Sequence, residues 1–125
     1  MLTVELPIYW QQTSSKLVLV GLNVYRNWHY HTSNKWKQEY TNLVESQLDS
    51  VIITDPFTLK MELYYKNANC DPSNIIPIIE KVFLDALQSS GTIPNDSVLY
   101  HTGSSWTVAG CDKANPRCII TLTPN

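Results

Sequence analysis

Two aspartates and a lysine frame the part of this chain best suited to chemistry. Asp71 precedes a helix-patterned run, Asp96 follows it, and Lys81 stands on it among mostly apolar residues. Carboxylates are hard oxygen ligands for magnesium, which usually takes one or two of them and fills its octahedron with waters or phosphate oxygens. Ser73, Asn74 and Asn95 are neutral oxygen donors close by in sequence. A lysine ammonium suits the charge that builds on a phosphoryl group. These residue types point to metal-assisted hydrolysis of a phosphodiester. No G-x-S-x-G, no H-E-x-x-H and no phosphate-cradling glycine loop offers a competing chemistry.

The helix that must position these groups is complicated by Pro77. Begun at Pro72, it would hold Pro77 in its interior and lose a backbone bond, at a cost of about 3 kcal/mol. The spacing therefore predicts a helix from Ile76 or Pro77 to Ser89, stopped at Gly91. Residues 71–75 are then a loop, with Asp71 free to turn toward Asp96. Ile79, Val82, Phe83, Ala86 and Leu87 make a buried stripe. Lys81, Asp85 and Gln88 share another face, which Asn74 joins if the preceding turn is near-helical. The same spacing also describes an ordinary solvated face with a weak Lys81–Asp85 pair.

Upstream, residues 2–8 alternate up to Pro7 as a first strand. Residues 17–22 read as a second strand, or as one arm of a hairpin with the first. Between Asn23 and Tyr40, aromatic and basic residues interleave. Rings that stack on bases and cations that meet phosphates suit a nucleic-acid surface. The alternative is that Trp28, Tyr30, Trp36 and Tyr40 are half-buried residues covering a small core. His29 and His31 would share a face on an extended segment, without a third ligand for a metal. A helix over 35–49, capped by Thr32, Ser33 or Asn34, buries Trp36, Tyr40, Leu43, Val44 and Leu48 and turns Lys35 and Lys37 to water. Residues 51–57 read as extended, and 57–66 alternate cleanly as a strand. Strands are also expected at 97–100, 106–108 and 118–124, with a polar turn at 112–117.

At 125 residues the chain is one domain, 1–125, with a core of its own. Its 43% hydrophobic and 16% charged composition is that of a globular protein. No apolar run approaches the roughly 20 residues of a membrane span and no signal-peptide pattern opens the chain, so a cytoplasmic location without membrane contact is expected. Three cysteines without a C-x-x-C pair predict reduced, structural thiols. The net charge of −2 counts against nucleic-acid binding, although carboxylates that hold a divalent ion are neutralised by it.

Residues 71–98 resemble the RusA-type Holliday-junction resolvases of phages and prophages. The likeness rests on Asp71-Pro72-Ser73-Asn74, on Lys81 four residues before Asp85-Ala86-Leu87, on Gly91, and on Asn95-Asp96-Ser97-Val98. Leu22-Asn23-Val24-Tyr25-Arg26 with His29 is similar to that family's N-terminal signature. Ser73 and Asn95 stand where the family has aspartates, and the interval from Asn74 to Lys81 is about one helical turn longer.

The resemblance implies an α+β fold, a small mixed β-sheet flanked by two main helices, in a homodimer whose paired sites suit symmetric cutting of branched DNA. It implies a magnesium-dependent endodeoxyribonuclease, with manganese as a substitute ion, cleaving four-way junctions to leave 5′-phosphates. Asp71 and Asp96 would hold the ion, with Ser73 or a water in a third place, and Glu80 or Glu62 as substitute ligands. Lys81 would assist at the phosphate, and Asn74, Asp85 and Asn95 would support the site. Arg26, His29, Lys35, Lys37, Lys113 and Arg117 are the cations expected along the DNA backbone. Two other readings remain open: a branched-DNA-binding protein of this fold with weak or lost cleavage, and an interaction domain with no nucleic-acid role.

Overall fold

A computed structural model describes all 125 residues. Strand β1 (Leu2–Pro7) is followed by a hairpin of β2 (Tyr9–Thr13) and β3 (Lys16–Leu19). Helices α1 (Leu22–Asn27) and α2 (Tyr30–Glu45) come next. Strand β4 (Phe57–Tyr65), helix α3 (Pro72–Ser89), β5 (His101–Cys111) and β6 (Arg117–Pro124) complete the chain. Four strands form a mixed sheet in the order β1-β6-β4-β5, in which only β4 and β5 run parallel. The expected α+β class with a small mixed sheet is observed, with α1 added to the two main helices.

Alternation along the strands builds the core. Leu2, Val4 and Leu6 of β1, Phe57, Leu59, Met61 and Leu63 of β4, and Cys118, Ile120 and Leu122 of β6 are buried on one face. Helix α2 covers that face at β1 and α3 covers it at β4, while the two helices pack on each other. The opposite face leaves Thr3, Glu5, Thr58 and Lys60 exposed.

The second expected strand pairs with β2 rather than with β1, because Tyr9–Thr13 is itself extended and only a short turn separates it from Lys16. Gly21 ends that strand and opens α1, which the apolar run through Tyr25 had concealed. Helix α2 starts five residues early: His29 is its cap, with Nδ1 accepting the His31 backbone N–H at 3.3 Å. Residues 51–56 form no strand, and Ile53 N–H donates to Thr92 O at 2.7 Å in the loop after α3. Ser97–Tyr100 is a turn, and β5 begins only at His101.

The largest correction concerns α3. It starts at Pro72 with Asp71 as cap, so residues 72–75 are helical and Pro77 lies inside the helix. Burial decides this. Ile75, Ile76, Ile78 and Ile79 are all buried, and a loop over 71–75 would leave the first two outside the core. Residues 73, 77, 81, 85 and 89 form the helix's water-facing lane, with Ser73, Pro77, Lys81 and Ser89 exposed and Asp85 partly so. The Ser73 carbonyl that Pro77 leaves without a donor is thus on the wet side, where water can bond it.

Three thiols are free. Burial, aided by Glu62, pushes the Cys118 thiol from its ordinary 9.0 up to about 12, and burial also raises that of Cys70.

Candidate functional site

Asp71 performs a structural task. Its Oδ1 accepts the Ser73 backbone N–H at 3.1 Å and the Ser73 hydroxyl at 2.7 Å, so carboxylate and hydroxyl close the first turn of α3 together. Asn74, seven residues before Lys81 on the continuous helix, shares its face as expected, and its side chain reaches across to α1. Its Oδ1 accepts the backbone N–H of Asn23 at 3.1 Å, supplying from a distant helix the cap that α1 lacks, since Gly21 has no side chain to give. Gly21 is also the residue that makes room: a Cβ there would lie 2.3 Å from Asn74 Nδ2.

Continuous helix through 72–77 fixes the spacing of the candidates. Lys81 stands ten residues after Asp71, about 15 Å further along the axis. Its Nζ lies 3.7 Å from Asp85 Oδ2 in an exposed i,i+4 pair. Asn95 Oδ1 accepts the Ser97 N–H at 2.9 Å, a local turn that leaves the neighbouring Asp96 exposed. The loop carrying Asp96 is anchored at both ends against later parts of α3: Ile93 N–H bonds Leu87 O, and His101 Nε2 lies 3.9 Å from Glu80 Oε1. Glu80 thus belongs with His101, and Glu62 lies on the neighbouring strand beside Cys118.

These placements test the magnesium set. Asp71 sits at the N-terminus of an 18-residue helix, where the helix dipole favours anions and opposes a cation. One of its oxygens is held by Ser73, and Asn74 is committed to α1. No three His, Cys, Asp or Glu side chains come together as a group able to hold a metal ion. Asp71 and Ser73 are thus joined at the start of α3, and Asp96 lies in the loop that follows the helix.

The aromatic and basic stretch divides in two. Trp36 and Tyr40 are buried, with Trp28 and Tyr25 half-buried beside them, and their rings contact one another at centroid distances of 4.9–6.1 Å. The Tyr40 hydroxyl donates to Pro7 O at 2.7 Å, and burial raises its pKa well above the usual tyrosine value. The other half faces water. His29, Tyr30 and His31 form an exposed trio with centroids 4.0–5.0 Å apart, and Arg26 and Lys35 are exposed around them.

Beside the trio is a depression of about 280 Å³ lined by Trp10, Gln12, Thr13, His31, Thr32 and Lys35. Of its lining residues, Gln12 has a buried Oε1 without a hydrogen-bond partner. Sequence reasoning missed Gln12, whose polar hairpin segment carries no motif. Lys37 is partly covered and lies 5.4 Å from the centre of the Tyr25 ring.

Two further cations part company. Lys113 is exposed at the β5–β6 turn. Arg117 is already engaged: Nη1 donates to Asp112 Oδ2 at 2.8 Å and to Asn115 O at 3.1 Å, and the guanidinium stacks 4.2 Å over Tyr64. It holds the turn and is not free for a phosphate.

A scan against models of known protein families finds no match. A search of curated proteins finds none either. No helix is long and apolar enough to cross a membrane.

Proposed function

We propose that this chain binds branched DNA, as a RusA-like protein in which cleavage is weak or lost. The observation that carries the reading is the exposed surface at the start of α2. The rings of His29, Tyr30 and His31 lie exposed within 5.0 Å of one another, Lys35 lines the same depression as His31, and Arg26 is exposed three residues before His29. Exposed rings stack on unpaired bases and the cations meet phosphates. Branched DNA offers unstacked bases at the point of exchange. The separation of Asp71 and Lys81 along α3, with Ser73 and Asn95 in place of aspartates, supports binding over cutting.

The second reading, a magnesium-dependent endodeoxyribonuclease of the resolvase type, is favoured by the order of its motif, from Asp71 through Lys81 and Asp85-Ala86-Leu87 to Asp96-Ser97-Val98. A labelled four-way junction incubated with magnesium or manganese separates the two. Binding without nicks supports the first reading. Cleavage by wild type that Asp96→Asn abolishes establishes the second. Binding that does not weaken steeply as salt rises overturns both, because phosphate contacts release counterions.

A further inference from the structure

Trp10 lines two recesses. One is the depression beside His31; the other is a larger groove of about 490 Å³ between α2 and the chain from Pro7 to Gln11. Small-molecule sites occupy roughly 300–1,000 Å³ and are walled mainly by apolar and aromatic side chains. Here the walls are the buried rings of Trp10 and Tyr40, the half-buried ring of Tyr9, and Leu43, which is left 39% exposed.

Glu39 is the one charged residue on this lining, and it makes no ion pair. Lys35, one turn earlier on α2, lines the other recess, with its Nζ 6.0 Å from the centre of the Trp10 ring. What holds Glu39 is the indole: Trp10 Nε1 donates to its Oε2 at 3.2 Å, which ties the carboxylate to the aromatic wall and leaves Oε1 without a partner. The neutral polar groups are mostly acceptors as well. Gln11 spends its Nε2 on Thr13 O at 2.7 Å and keeps its amide oxygen, and the Ser46 hydroxyl gives its proton to Leu43 O at 2.8 Å. Only Asn42 keeps a donor, because its Oδ1 accepts from Gln38 Nε2 at 3.0 Å. One negative charge and several acceptor oxygens thus border an aromatic groove, and no cation of the chain lines it.

We propose that this groove binds a small organic cation, an ammonium or guanidinium group carried on an apolar, ring-sized body. The cation pairs with Glu39 and donates to the acceptor oxygens beside it, while the body lies against Tyr9, Trp10 and Leu43. A free small molecule suits the groove better than an extended peptide, because the main chain that borders it is already engaged. Pro7 has no N–H, and its carbonyl accepts the Tyr40 hydroxyl at 2.7 Å. Next along β1, Gln47 Oε1 accepts the Glu5 N–H and its Nε2 donates to Glu5 O, both at 2.8 Å. A strand therefore has nothing to pair with at this border. The site shares no cation with the proposed DNA surface and is independent of that reading.

An NMR titration with phenethylammonium, and with its neutral and anionic counterparts 2-phenylethanol and 3-phenylpropionate, tests the proposal. The ammonium is expected to give saturable shifts at residues 7–11 and 39–46, including the Trp10 indole N–H, and to bind roughly ten-fold or more tightly than either counterpart. Glu39→Gln, an exposed substitution that keeps an acceptor for the indole, is expected to lower ammonium affinity roughly ten-fold or more. Glu45→Gln, on the same helix and outside the groove, is expected to leave it unchanged. Absence of saturable shifts, equal binding of the three probes, or a folded Glu39→Gln that binds as wild type does overturns the proposal. A blocked lysine-containing tetrapeptide that binds the same residues ten-fold more tightly than phenethylammonium overturns it too, assigning the groove to a protein partner.

Discussion

Gly21→Ala is the substitution for which the structure gives the most definite outcome. The glycine's φ of −167° is extended backbone open to any residue, so alanine meets no conformational penalty. The obstacle is Asn74: the new Cβ would lie 2.3 Å from its Nδ2 and 2.9 Å from its Cγ. A side-chain amide can swing away, so the cost is what the amide loses by moving, namely its bond to the Asn23 N–H at 3.1 Å and with it the cap of α1. A neutral hydrogen bond that caps a helix is worth about 1–2 kcal/mol. Removing the amide first makes room. In an Asn74→Ala background, Gly21→Ala is expected to be neutral, or to stabilise by about 0.4–1 kcal/mol through the unfolded chain. Urea unfolding of wild type, both single variants and the double variant should give a coupling of roughly 1–2 kcal/mol. Costs that simply add would refute the idea that Gly21 exists to admit Asn74.

Pro77→Ala restores a donor to the Ser73 carbonyl and is expected to stabilise the protein by about 1–3 kcal/mol, read as a higher urea midpoint; destabilisation would mean that Pro77 shapes the helix in another way. Tyr40→Phe leaves Pro7 O without its buried donor and should cost about 1–2 kcal/mol in the same assay. Because the folded Cys118 thiol titrates near 12 against an ordinary 9.0, the folded state keeps a proton that the unfolded state releases above pH 9. Stability should therefore fall by about 1.4 kcal/mol per pH unit as pH rises from there, and Cys118→Ala should flatten that slope. For the proposed DNA surface, Arg26→Ala and Lys35→Ala should each lower the salt slope of junction binding by about 0.9. Arg117→Ala should reduce thermal stability and leave the salt slope alone.

Periodicity made the sheet legible. β4 and β6 alternate as the sequence suggests, and the buried stripe of Val82, Phe83, Ala86 and Leu87 is where helical spacing puts it. Hidden from the sequence were choices that only tertiary packing makes. Local cost alone says that Pro77 should begin α3, yet burial of Ile75 and Ile76 carries the helix back to Asp71. That shift redefines the candidate site, because it makes Asp71 and Ser73 a cap and sets Lys81 two to three turns away. The bond made by Asn74 was hidden for a related reason: its partner, Asn23, is 51 residues distant, and no local pattern records such a bond. Among the mixed aromatics, helical spacing turned Trp36 and Tyr40 inward, as observed, whereas the exposure of Tyr30 went unread because α2 begins there and not five residues later.

Gln47 has an effect out of proportion to its two hydrogen bonds. A sheet with two open edges adds copies at both sides and grows without limit, whereas a sheet with one open edge stops at two. By occupying Glu5, this one carboxamide sets the largest assembly that edge pairing can reach. Its loss would open the β1 edge to pairing with another chain.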